Sequence, residues 1–152
     1  MRIGIISDTH GLLRPEAEQA LQGVQLIVHA GDVGSPEILT RLRGIAPVFA
    51  VRGNVDTEAW ARELPETTVV EAGGATFYIL HNLSALDLKP EAAKFDFVIS
   101  GHTHQAERSD RHGVIYFNPG SAGPRRFHLP VTLALLDLKV KPWNPQIIEL
   151  AR

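Results

Sequence analysis

The chain contains no cysteine, which removes disulfide frameworks, thiolate metal sites and cysteine nucleophiles in one step. Any metal ion must be held by oxygen and nitrogen donors. Long apolar runs are missing too: nothing approaches the roughly 20 residues needed to cross a bilayer. Residues 3–6 are apolar before Ser7 and Asp8 interrupt them, far short of a signal-peptide core. A cytoplasmic location and no membrane partner are therefore expected. Nor is there a basic excess, because fifteen Lys and Arg stand against seventeen Asp and Glu for a net charge of -2, so the composition carries no strong nucleic-acid signature. Two divalent cations would add about four positive charges locally and invert the field at a site.

What is present is an ordinary globular composition, 44% hydrophobic and 21% charged over 152 residues, enough to bury close to ~70% of the unfolded surface around a core. No internal repeat, low-complexity tract or Gly/Ser linker divides the chain, so one domain over residues 1–152 is expected.

The runs at residues 3–6, 26–28 and 48–51 are short, rich in β-branched side chains and nearly unbroken, as parallel strands covered on both faces require. Between them, residues 15–21 can form a short helix. Ser35, Pro36 and Glu37 supply an N-cap, a first-turn proline and an acid that suits the helix dipole, starting a second helix that runs to about Arg43. Asp56 and Thr57 could cap a third helical segment carrying Trp60 and Leu64, stopped by Pro65. The second half changes character. Residues 67–71 and 76–80 flank Gly73-Gly74 as a hairpin would, and a helix is expected over residues 89–94. Residues 97–100 and 114–118 read as strands, the latter after a turn at His112-Gly113, and residues 131–138 pair with 145–150. Two β layers between helices would accommodate these elements.

A metal-capable side chain follows every core strand: Asp8 and His10, then Asp32, Asn54, His81, and His102 with His104. The C-terminal ends of parallel strands share one edge of an α/β sheet, and ligand crevices lie there. Gly31-Asp32, Gly53-Asn54 and Gly101-His102 place a glycine where a crowded site needs close backbone approach. In Asp8-Thr9-His10 and His102-Thr103-His104 the two-residue spacing puts both side chains on one side of an extended segment. Taken singly, each residue has an ordinary explanation as a cap, a turn residue or a solvated loop side chain; their joint placement at five strand ends does not. Seven carboxylate, imidazole and amide donors exceed one tetrahedral zinc site and suit two ions sharing a carboxylate. Such a pair can generate hydroxide at neutral pH and stabilise in-line displacement at phosphorus. His29 lies inside a strand and reads as a core or supporting residue. His112 reads as a solvated turn, and Arg125, Arg126 and His128 as a Pro/Gly-rich loop with a solvated surface or a phosphate contact.

The segments Asp8-Thr9-His10, Gly31-Asp32, Gly53-Asn54, His81 and Gly101-His102-Thr103-His104, in this order, resemble the calcineurin-like metallophosphoesterase superfamily. Together with Asn118-Pro119-Gly120-Ser121 they look most like its small prokaryotic phosphodiesterases. The resemblance implies a four-layer αββα sandwich and a phosphodiesterase in which a metal-bound hydroxide attacks phosphorus. It implies that Asp8, His10, Asp32 and His104 bind a first ion, that Asp32, Asn54, His81 and His102 bind a second, and that Asp32 bridges them. Asp32, Asn54 and His81 would act in catalysis through the metals and phosphate positioning. Manganese is the first expectation for both ions, with nickel, iron or zinc as substitutes, and a small phosphoester as substrate. Homodimers or higher homo-oligomers are implied as well. The same fold also serves as a non-catalytic scaffold in the retromer sorting complex, and a nuclease or nucleotidase is a further alternative. Two positions depart from the family pattern. Val55 stands where many of its phosphatases carry a leaving-group acid, and Asn82 stands where the small enzymes usually have glycine after the histidine, at a turn where Asn tolerates a positive φ.

Overall fold

The computed structural model describes residues 1–151. Ten strands form in chain order: β1 (Arg2–Ile6), β2 (Leu26–His29), β3 (Val48–Ala50), β4 (Thr67–Ala72), β5 (Ala75–Leu80), β6 (Phe97–Ile99), β7 (Glu107–Arg111), β8 (Val114–Asn118), β9 (Val131–Asp137) and β10 (Gln146–Ala151). They make two mixed five-stranded sheets, ordered β10-β9-β1-β2-β3 and β4-β5-β6-β8-β7. In the first sheet the parallel set β1-β2-β3 runs out to the β3 edge while β9 and β10 are antiparallel; in the second the parallel set β5-β6-β8 lies in the middle and antiparallel strands close both edges. This is the expected α/β sandwich.

Alternation along the strands sorts side chains between the layers. Ile3, Ile5 and Val28 of the first sheet meet Phe77, Ile79, Phe97 and Ile99 of the second in one buried cluster. There the Phe77 and Phe97 rings stack with centroids 4.6 Å apart. Each fully buried side chain of this size contributes roughly 1.5–3 kcal/mol, so the sheets are locked face to face. Ile6, Ile27 and Leu133 point the other way and pack under helices α1 (Pro15–Ala20) and α2 (Pro36–Arg43) against Leu21, Ile38 and Leu42. Ser35 occupies the N-cap of α2 as expected, in extended conformation and with Pro36 following, but its hydroxyl makes no capping bond.

The outer face of the second sheet is covered more thinly. Tyr78, Leu80, Val98 and Val114 pack under Leu83, Leu86 and Phe95, which sit on a 3-10 turn (Leu83–Ala85) and an irregular segment. The helix expected over residues 89–94 is a single turn. Ala93 N–H reaches the Lys89 carbonyl, but Lys94 adopts φ 63° and stops it. A helix that short never recovers its nucleation cost, and Phe95 is drawn down to stack on Tyr78 at 5.1 Å. The segment after Asp56 is likewise a 3-10 helix (Ala59–Glu63). β7, Glu-Arg-Ser-Asp-Arg, was not expected as a strand because it has no apolar alternation; it is a polar edge paired with β8 across the His112-Gly113 turn. Among the described residues no helix is long and apolar enough to cross a membrane.

Candidate metal centre

The parallel strands of both sheets end on the same edge, and the loops that leave them are stitched together. Asp8 N–H donates to the Gly31 carbonyl (3.0 Å), His10 N–H to the Asp32 carbonyl (2.9 Å) and Gly101 N–H to the His81 carbonyl (2.9 Å). The loops are not extended. Asp8, His10, Asp32, His102 and His104 all have positive φ, between 47° and 74°. The two-residue spacing therefore converges through left-handed turns rather than through strand geometry. Each such residue costs about 1 kcal/mol or more, offset by the surrounding hydrogen bonds. Two glycines make the crowding tolerable. A Cβ at Gly53 would overlap the Asp32 carboxylate and backbone, and one at Gly101 would overlap Ser7 and Asp8.

All seven expected donors meet at this edge. Asp8 Oδ1 lies 3.4 Å from His104 Nε2, 3.7 Å from His10 Nε2 and 3.9 Å from His81 Nε2. Asp32 Oδ2 lies 3.1 Å from His81 Nε2 and 3.6 Å from His10 Nε2. The two imidazoles of His10 and His104 approach to 3.2 Å, and His102 Nδ1 is 3.2 Å from Asn54 Oδ1. Two groups with cation-holding geometry result, Asp8-His10-His104 and Asp32-His81-His102, each with its ligand atoms within 4.8 Å of one another. Asp32 reaches toward both.

The chemistry of these contacts fits cations. His81 Nδ1 is 2.8 Å from the Ala30 carbonyl, which can only accept, so the ring proton sits there and the neutral ring turns the Nε2 lone pair on the Asp32 carboxylate. A lone pair facing a carboxylate at 3.1 Å needs a cation in between, either a proton or a metal. Asp8 Oδ1, His81 Nε2 and His104 Nδ1 are buried without hydrogen-bond partners, and native proteins rarely leave such groups orphaned. The ionisation equilibria agree. Burial works against the charge of Asp8, but His10, His104, Ser7 and His81 outweigh it and hold the carboxyl far below the usual range. Burial also opposes the charge of Asp32, and His81 with the Val55 N–H lowers its pKa nonetheless. Burial opposes protonation of His81, yet Asp32, the Ala30 carbonyl and Asp8 raise its pKa.

Supporting residues fix these orientations. Asp8 Oδ2 accepts from the Ser7 hydroxyl (2.6 Å) and from His102 N–H (3.1 Å), so only Oδ1 faces the cluster. His29 is fully buried. Its Nδ1 accepts from Gly31 N–H (3.1 Å), its Nε2 therefore donates to Thr9 Oγ1 (3.0 Å), and that hydroxyl donates to the Val33 carbonyl (2.8 Å). Burial lowers its pKa to about 4, which keeps the ring neutral and this chain of donors in order. Asp56 does not cap a helix. Its carboxylate accepts from Val33 N–H (3.1 Å), Gly34 N–H (3.0 Å) and Gly53 N–H (2.9 Å), tying the loop of Asp32 to the loop of Asn54. Asn118 does the same for the third loop, donating to the Gly101 carbonyl (2.9 Å) and Thr103 Oγ1 (3.2 Å). The sequence signal for these residues was proximity to the ligand segments, and it could not tell a loop tie from a cap.

Val55 contributes its N–H to Asp32 Oδ1 (3.0 Å) while its side chain is 43% exposed beside the site. Asn82 needs no positive φ: it is extended at φ -113°, and its side chain accepts from Ser84 N–H. His112 is exposed in its hairpin turn, and Arg125, Arg126 and His128 are exposed on their loop, outside both donor groups.

Comparison with known proteins follows the same outline. A family model described as the calcineurin-like phosphoesterase superfamily domain matches residues 1–141. A probable metallophosphoesterase of Methanothermobacter thermautotrophicus is 37% identical over 150 residues, covering 89% of this chain and 85% of the relative. A phosphodiesterase of Methanocaldococcus jannaschii is 29% identical, covering 98% of this chain and all of its own length. Among solved structures, Vps29 of Chaetomium thermophilum superposes with a TM-score of 0.78 at 19% identity, covering 100% of this chain and 98% of that one, a likeness of fold alone.

Proposed function

The chain belongs to the calcineurin-like phosphoesterase superfamily, and from that premise we propose that it is a phosphodiesterase working through a dinuclear metal centre bridged by Asp32. Asp8, His10, Asp32 and His104 hold the first cation, and Asp32, Asn54, His81 and His102 hold the second. The observation that carries this is the position of Asp32 Oδ2, 3.1 Å from an imidazole of one donor group and 3.6 Å from an imidazole of the other. Bound divalent cations supply the charge that activates water and neutralises phosphoryl oxygens. The protein supplies the rest. His81 is held in one tautomer by the Ala30 carbonyl, Asp8 is turned by Ser7 and His102, and the strained loops are fixed before substrate arrives, so little reorganisation accompanies the reaction. Oxygen and nitrogen donors in this mixture admit manganese, nickel, iron or zinc, of which the family resemblance puts manganese first.

A diester rather than a monoester is favoured by the likeness to the Methanocaldococcus phosphodiesterase, and a good leaving group by Val55, which has no proton to deliver. A screen of metals against aryl diesters, aryl monoesters, cyclic nucleotides and short oligonucleotides on chelator-stripped protein tests the proposal. Hydrolysis of aryl diesters that returns with manganese is expected; turnover that survives stripping unchanged would remove the basis for it.

A further inference from the structure

A cavity of about 350 Å³ opens beside the second donor group. Its lining includes Asn54, His81 and His102 and, besides them, Arg52, Glu66, Asp87 and Leu80. The volume falls in the range of small-ligand pockets, about 300–1000 Å³, and Asn54, His81 and His102 are the residues assigned above, with Asp32, to the second cation. We propose that this cavity receives the organic arm of the substrate and selects an uncharged, hydroxyl-bearing arm such as a glycerol, sugar or nucleoside; the inference rests on the proposed phosphodiesterase reading.

The selection follows from the charges of the other lining residues. Arg52 is the one cation lining the cavity, and its Nη2 is bound to Glu66 Oε1 at 3.0 Å. The two segments are also tied through the main chain, since Arg52 N–H donates to the Pro65 carbonyl next to Glu66. With Arg52 neutralised by Glu66, Asp87 leaves this set of lining residues with a net negative charge. An arm carrying a second phosphate or a carboxylate would meet that charge and would have to break the Arg52–Glu66 pair to find a partner. Hydroxyl groups meet carboxylate and amide oxygens that accept hydrogen bonds without any such rearrangement, and the specificity lies as much in the repulsion as in the attraction. Substituting Glu66 and Asp87 should spare the fold, because Glu66 is 80% exposed and Asp87 is exposed.

The test uses ligands whose carbon–phosphorus bond cannot be hydrolysed, measured by calorimetry on manganese-loaded protein: methylphosphonate, 3,4-dihydroxybutylphosphonate and 3-phosphonopropionate. The diol is expected to bind about tenfold more tightly than methylphosphonate, and the carboxylate about tenfold more weakly than the diol. In the double variant Glu66→Gln, Asp87→Asn, with Arg52 released, the carboxylate ligand is expected to gain about tenfold while the diol weakens for want of its carboxylate acceptors, so that the carboxylate overtakes the diol. Equal binding of the three ligands by the parent, or an unchanged order in the double variant, would overturn the assignment. The metal requirement of methylphosphonate binding is read separately, so failure of the dinuclear centre and failure of the cavity give different results.

Discussion

The two donor groups lie side by side but are built differently. In the first, Asp8 is completely buried, His104 nearly so, and the His10 side chain is only 15% exposed. In the second, Asp32 and His81 are buried while His102 and Asn54 stand in solvent at the mouth of a cavity. Burial strengthens electrostatic attraction and restricts ligand exchange. The proposed centre is therefore asymmetric, with a sheltered cation held for structure and charge and an accessible one facing the substrate. Asp32 belongs to both halves, and this sets the order in which the comparison can be broken.

Asp32→Ala removes the shared carboxylate and should reduce metal-dependent turnover on the order of a thousandfold, with the circular dichroism of a folded chain retained. Turnover at the parental rate would end the bridged model. The asymmetry itself is sharpened by paired variants. Asp8→Asn should eliminate the tighter of two binding events in a manganese titration, whereas His102→Gln should weaken the other by about 100-fold and be rescued by excess metal. Equal losses from both would show that the two halves are equivalent. On the accessible side, Val55 leaves the departing alkoxide without an acid, so aryl esters should exceed alkyl esters of the same phosphate by about 100-fold or more. Val55→His should narrow that ratio, and equal rates in the parent would refute the role given to this position.

The smallest effect concerns the sheltered side and pH. The His29 pKa falls from 6.5 to about 4 on folding because the ring is buried. Below pH 6.5 the unfolded chain takes up a proton that the folded ring refuses, so the stability present above that pH is lost as pH falls toward 4. Between pH 7 and pH 5 this amounts to about 2 kcal/mol. In the metal-free protein His81 works in the opposite direction, since its pKa is raised; its stabilisation is full below the unfolded value and fades as pH rises. Urea unfolding of the parent against His29→Asn at the two pH values isolates the first contribution. An identical pH dependence in both proteins would mean that the buried ring is not what carries it.

The fold class was legible where local chemistry and burial agree. β1 and β2 are continuous apolar runs because both faces are covered, whereas the equally apolar β3 lies at the sheet edge with Phe49 42% exposed; the hairpin of β4 and β5 announces itself through Gly73-Gly74. β7 was not legible, because an edge strand paired on one side can be wholly polar and then carries no period. The expected helix over residues 89–94 failed for the reverse reason: its residues permit a helix, but packing Phe95 onto Tyr78 ends it after one turn. Asp56 was visible as a helix cap and turned out to tie two loops, a role that depends on amides from residues 33, 34 and 53 arriving at one place.

By itself the sequence determined which donors are available, since the absence of cysteine and the run of Asp, Asn and His after successive strands depend only on residue identity and order. What the tertiary structure alone decided is how those donors face one another: the left-handed turns, the His81 tautomer imposed by the Ala30 carbonyl, and the contrast between a buried and an open half. Each of these depends on contacts between residues tens of positions apart. Local propensity favours none of them, and only the closure of two sheets on one edge brings the partners within reach.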